Sequence, residues 1–193
     1  MAGVSAKRLR CDTCRDSCVT DVATQDSGAL PVVFAWEDRD PRCRNWHHCA
    51  VIDKTGKWWK GQDFADLAEY LVALTADGYP ADRVLEPQCI CGARVFRLHG
   101  DRDEGVARRT CVACGHKAFI CDSEEAWADA EPKLVKCPCG AREFQVGVAF
   151  SMRGTGDVRW ITVGERCLAC GVLGGSVDWS IDYSPSLHLL DSV

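Results

Sequence analysis

The amino-acid sequence predicts an α+β, β-rich protein in which tandem β-hairpin repeats follow an N-terminal cysteine-rich part with one amphipathic helix. Three observations lead there. CICGARVF begins at Cys89 and CPCGAREF at Cys137, with six of eight positions identical and start points 48 residues apart. Each phrase is followed by a second cysteine pair, Cys111 and Cys114 (CVAC) or Cys167 and Cys170 (CLAC), and a glycine follows every pair: Gly92, Gly115, Gly140 and Gly171. The segments between the pairs alternate with the period of a strand, whereas residues 62–76 carry the period of a helix.

In chain order, Cys11, Cys14 and Cys18 come first, followed by the polar stretch TDVATQDSGAL. PVVFAW (31–36) reads as a buried strand, and EDRDPRCRNWHHC as a polar loop. AVID (50–53) and KWWK (57–60) flank a Lys-Thr-Gly turn and read as a hairpin. In QDFADLAEYLVALTA (62–76), Phe64, Leu67, Ala68, Leu71 and Leu74 or Thr75 recur at helical spacing. Asp63 and Asp66 suit the positive end of the helix dipole, and Gly78 and Pro80 stop the helix. ADGYPADRVLEPQ links it to the repeats. In the second repeat, Phe144, Val146, Val148 and Phe150 share one face. Val158, Trp160 and Thr162 alternate after an Arg-Gly-Thr-Gly-Asp turn. Beyond the second cysteine pairs, Asp122 and Asp178 sit at the same offset, and residues 183–193 form a tail. The expected division is 1–82 for the N-terminal part with the helix, 83–130 for the first repeat, and 131–193 for the second repeat and tail.

The chain has 193 residues, 14 of them cysteine, and ten of those fall in pairs separated by one or two residues. The N-terminus has no apolar core after its basic residues, and no stretch is long and apolar enough to span a bilayer, so a cytoplasmic, membrane-free protein is expected. In a reducing compartment, paired cysteines read as metal ligands rather than disulfides. The first unit is Cys89-x-Cys91, 19 intervening residues, then Cys111-x2-Cys114. The second is Cys137-x-Cys139, 27 intervening residues, then Cys167-x2-Cys170. Zinc takes four such ligands in a tetrahedron. A repeat of about 40 residues has too small a core to hold by itself, and structural zinc supplies the stability that the core lacks. A third, N-terminal zinc-stabilised site is expected from Cys11, Cys14, Cys43 and Cys49, with His47 or His48 as rival for the fourth position. Cys18 and Cys121 are left over and read as buried small apolar residues, Cys18 also being a competitor for the third site.

The two units resemble the zinc-ribbon group, whose knuckles read C-x2-C-G. The resemblance covers 88–122 and 136–178, and departs in the first half of each unit, which is C-x-C. It implies zinc as scaffold, in tandem ribbons. The spacing of Cys137, Cys139, Cys167 and Cys170 also resembles the zinc switch of redox-regulated holdase chaperones, in which oxidation forms disulfides and releases zinc.

Four thiolates close the zinc shell, whereas catalytic zinc keeps an open position. The signatures of zinc deaminases, zinc proteases, serine hydrolases and P-loop enzymes are missing from the sequence, so no enzyme is expected. The net charge is −5. Two four-thiolate zinc sites take it to roughly −9, which weighs against nucleic acid and for a protein partner. The first 60 residues hold ten Lys/Arg against eight Asp/Glu, whereas 61–87 hold one against six. That acidic stretch, with Asp63, Asp66 and Glu69, suits a basic partner, as in an inhibitor or immunity-type protein that plugs a toxin. The nucleic-acid alternative would use Arg8, Arg10, Arg15, Arg39, Arg42 and Arg44 with Trp46. Trp58 and Trp59 are neighbours on a strand, so one turns to the core and the other away.

Overall fold

The computed structural model of the chain describes residues 52–193. Its elements are helix α1 (Phe64–Thr75), β1 (Arg83–Leu85), β2 (Val95–Asp101), β3 (Val106–Cys111), β4 (Lys117–Phe119), α2 (Ser123–Ala126), β5 (Lys133–Leu134), β6 (Phe144–Met152), β7 (Val158–Cys167), β8 (Leu173–Ser180) and a 3-10 turn, Leu187–Asp191. The strands form one antiparallel sheet in the order β4-β3-β2-β6-β7-β8, with β1 added to β6 and β5 to β2.

The sequence repeat is a repeat of backbone register. β2 places Phe96 opposite Cys111 of β3, and β6 places Phe144 opposite Cys167 of β7. Past the second cysteine pairs, Thr110 faces Lys117 and Arg166 faces Leu173. β5 sets Leu134 opposite His99. The ladder of β1, carried one residue past Leu85–Val148, sets Glu86 opposite Gly147, the matching positions. Each unit is thus a short strand, a C-x-C turn, a hairpin, a C-x2-C turn and a third strand. The units meet where Phe96 pairs with Phe144, the last residue of each repeated phrase, so a local two-fold axis passes through this pair. Only one more pair, Val95–Gln145, joins β2 to β6. Beyond it the two halves splay and close face to face. Arg102 at the tip of the first hairpin donates to Gly175 O and Ser176 O on β8, at 2.6 and 2.5 Å. The enclosed core takes Phe96, Leu98 and Ile120 from the first unit and Phe144, Val146, Val148, Phe150, Ile161 and Val163 from the second.

The alternation expected of β7 holds for Trp160 and Thr162 but not for Val158. Arg159 is an extra residue, because Ser151 faces Trp160 while Met152 faces Val158. This bulge turns Val158 into the core, where it is fully buried.

Helix α1 starts as its sequence asks, with the Asp63 side chain accepting from Asp66 N at 3.1 Å. Leu67 and Leu71 are fully buried, whereas Leu74 is 48% exposed. The helix lies across β6 and β7 of the second unit. The close approach is set by glycine: a Cβ on Gly164 would sit 2.5 Å from Leu71 Cδ2 and 2.9 Å from Gly174 O. Residues 52–61 reach the same unit. Asp53 and Lys60 exchange backbone hydrogen bonds at 2.8 and 3.0 Å, a single bridge in place of the expected paired strands, because 55–58 bend and 50–51 lie outside the described residues; Leu173 N donates to Trp59 O at 2.8 Å. Trp59 packs inward, edge-on to Tyr70, while Trp58 stays 47% exposed.

Gly164→Ala should cost about 1–3 kcal/mol of stability by overpacking. Phe96→Ala should cost about 3–5 kcal/mol by opening a cavity on the local axis. Urea unfolding followed by tryptophan fluorescence measures both, and losses below the scatter of surface substitutions would count against these packing assignments.

Candidate metal centres

The two C-x-C turns and the two C-x2-C turns are built the same way. Cys89 N donates to Ala93 O at 2.8 Å, and Cys137 N to Ala141 O at 2.9 Å. Cys111 N donates to His116 O at 2.8 Å, and Cys167 N to Val172 O at 2.9 Å. Gly115 N returns to Cys111 O at 3.0 Å, and Gly171 N to Cys167 O at 2.9 Å. The closing glycines take positive φ: 85° and 90° for Gly92 and Gly140, and 76° and 74° for Gly115 and Gly171. That region is costly for any residue with a Cβ, which explains glycine after all four pairs. At Gly171 a Cβ would also meet Gly61 O at 2.8 Å.

These turns bring the sulfurs of Cys89, Cys91, Cys111 and Cys114 within 4.8 Å of one another, and do the same for Cys137, Cys139, Cys167 and Cys170. Corresponding edges match. Cys89–Cys114 and Cys137–Cys170 are 3.5 Å apart, and Cys91–Cys111 and Cys139–Cys167 are 3.7 Å apart. A disulfide would need about 2.05 Å. A tetrahedral ion with metal–sulfur bonds near 2.3 Å gives sulfur–sulfur edges of about 3.8 Å. The donor set therefore fits a tetrahedral metal ion. Cys89, Cys111, Cys137 and Cys167 are buried, and Cys91, Cys114 and Cys139 face solvent. Backbone amides favour the thiolate. Hydrogen bonds from Cys114 N and Ala113 N bring Cys111 down to about 7, and Ala141 N and the neighbouring thiols bring Cys139 down to about 7. Burial pushes Cys137 the other way.

Of the predicted ligands, the eight in the repeats form these two clusters. Cys11, Cys14, Cys43 and Cys49, with His47, His48 and Cys18, lie outside the described residues. Cys121 joins neither cluster. It is half-buried, its sulfur points to Leu189 O at 3.6 Å, and burial raises its thiol. The acidic residues singled out on the helix have structural duties: Asp63 caps it, Asp66 is buried and accepts from Gln62 N at 2.6 Å, and Glu69 pairs with Lys54 at 3.4 Å.

Sequence reasoning missed a groove of about 650 Å³ beside the second unit. Trp58, Leu74, Tyr79 and Trp160 line it, with Gly174 and Gly175 of β8. Tyr79, read as linker, stacks on Trp160 at 4.7 Å, and Trp160 Nε1 donates to Asp178 at 3.2 Å. Glu165 also lines the groove. Its Oε2 has no partner among the described residues, and burial raises the carboxyl to about 7. The signal available was the density of aromatic residues, seven tryptophans in one chain.

Compared with family models, curated proteins and solved structures, the chain has no match. Among the described residues no helix is long and apolar enough to cross a membrane.

Cys139→Ser should lower bound metal by one ion per chain, and Cys121→Ser should leave it unchanged. Elemental analysis of the purified proteins reads both. Equal metal in Cys139→Ser and the parent would dismiss the second cluster as a metal site.

Proposed function

We propose that the chain is a non-enzymatic zinc-binding protein whose tandem zinc-ribbon units form a rigid module for recognising another protein. Zinc fits an all-thiolate tetrahedral site with no redox or geometric demand of its own. Four protein ligands leave it no position for water or substrate, which supports a scaffold role. The ribbon reading is supported by the glycine-closed turns and by the shared register of the two units.

The recognition reading is carried by the groove. Trp58, Leu74 and Tyr79, three of the large apolar side chains left exposed, converge on it, at 47, 48 and 43% exposure. Scattered apolar residues need no explanation, but a contiguous concave patch with aromatic walls has the make-up of an interface hot spot. It sits on a unit pinned by its metal site, so little ordering cost accompanies binding. The acidic helix stretch contributes less than its composition suggests, because Asp63 and Asp66 are engaged within the fold.

A photo-crosslinking amino acid at Tyr79 should capture one discrete protein in the source cell, and Trp58→Ala should abolish that capture without changing metal content. Capture no stronger than from a crosslinker at Ile90, the 85% exposed residue on the first C-x-C turn, would overturn the groove as the recognition site.

A further inference from the structure

The two units share a backbone register but differ in what covers their outer faces. On the second unit that face carries Gly147, Gly164 and Leu173, and helix α1 lies on it. The register places His99, Arg108 and Lys117 at the corresponding positions of the first unit. His99 pairs directly with Arg108, and Thr110 stands between Arg97 and Lys117, so Arg97, His99, Arg108 and Lys117 share one face. No helix could repeat the fit of α1 here, since that fit depends on glycines under Leu71.

This face is built for negative charge. A groove of about 790 Å³ runs from Arg97 and His99 to Arg142 and the turns of the second metal site. Among the described residues its one acidic group is Glu143, paired with Arg97 at 3.0 Å, so Arg97 would share its guanidinium between Glu143 and a docked carboxylate. The Arg108 guanidinium lies 4.5 Å from the Trp127 ring centre and 5.8 Å from that of Phe119, which holds its plane in place. Arg108 Nε and His99 Nδ1 are buried and have no hydrogen-bond partner among the described residues. Burial, with Arg108 and Lys117 alongside, lowers the His99 imidazole from its ordinary value, so the charge of this face rests on its arginines and lysine.

The chemistry discriminates between anionic partners. Single-stranded nucleic acid needs free aromatic faces for base stacking. Phe119 and Trp127 are packed edge to face at 5.2 Å and clasp Arg108, so neither is a free platform. A long polyanion following the groove would also run onto the second tetrathiolate site, which carries about −2 when filled. A short acidic segment meets neither obstacle.

We infer that the outer face of the first unit docks an acidic segment of a protein partner, its carboxylates paired with Arg97, Arg108, Lys117 and Arg142. This rests on the reading of the chain as a protein-recognition module, and it uses a face separate from the Tyr79 groove.

Fluorescence anisotropy with a labelled short peptide of alternating Glu and Ser tests it on the full zinc-loaded chain. The peptide should bind, and Arg97→Gln with Lys117→Gln, both exposed and outside the metal sites, should weaken it on the order of tenfold, as should raised salt. Arg108→Gln should do the same; its metal content and unfolding midpoint show whether it has kept its fold, and the exposed pair decides if it has not. Absence of binding, or equal binding by the Gln variants, overturns the inference and leaves crosslinking at Tyr79 unaffected. Tighter binding of oligothymidine of matched length than of the peptide overturns it in favour of nucleic acid.

Discussion

Four sulfurs lie within 4.8 Å of one another in each cluster, a set that could hold a metal ion. As four thiolates they would repel one another, and a cation among them would offset that repulsion. The structure builds this arrangement twice, from turns whose hydrogen bonds match pair by pair. The hairpins descend from those turns, and the first buried residue of each hairpin, Phe96 or Phe144, lies opposite a ligand cysteine. The cysteine turns and the strand register therefore go together, and the strands enclose the core.

The same constraint explains how the units combine. A single unit of this size has a thin core. Pairing Phe96 with Phe144 joins two of them about a local two-fold axis and encloses a shared interior. The paired units reach in one chain what a symmetric dimer reaches with two. The units differ where symmetry does not hold them: glycines and a covering helix on one outer face, histidine, arginine and lysine on the other.

The two cysteine clusters were legible because cysteine spacing and the glycine after each pair encode turn geometry locally. Helix α1 was legible from its period, and its start from Asp63. The junction of the units was not, since Phe96 and Phe144 look like ordinary core residues until their pairing is seen. Nor was the bulge at Arg159, which moves Val158 to the opposite face from Trp160, because alternation assumes an unbroken ladder. Asp66 was misjudged as surface charge, although it is 7% exposed and hydrogen-bonded. The aromatic groove draws on residues far apart in sequence. The basic face, by contrast, was within reach: aligning the two repeats sets His99 against Gly147 and Arg108 against Gly164.

The central claim is that each cluster is a closed tetrathiolate zinc site on which the fold depends. Zinc-edge X-ray absorption on a chain carrying Cys11→Ser and Cys14→Ser tests it most directly, since those changes remove the N-terminal pair. The account predicts four sulfur neighbours at about 2.3 Å and no lighter ligand. A first shell mixing sulfur with nitrogen or oxygen, or a purified chain that is folded and free of zinc, would contradict it.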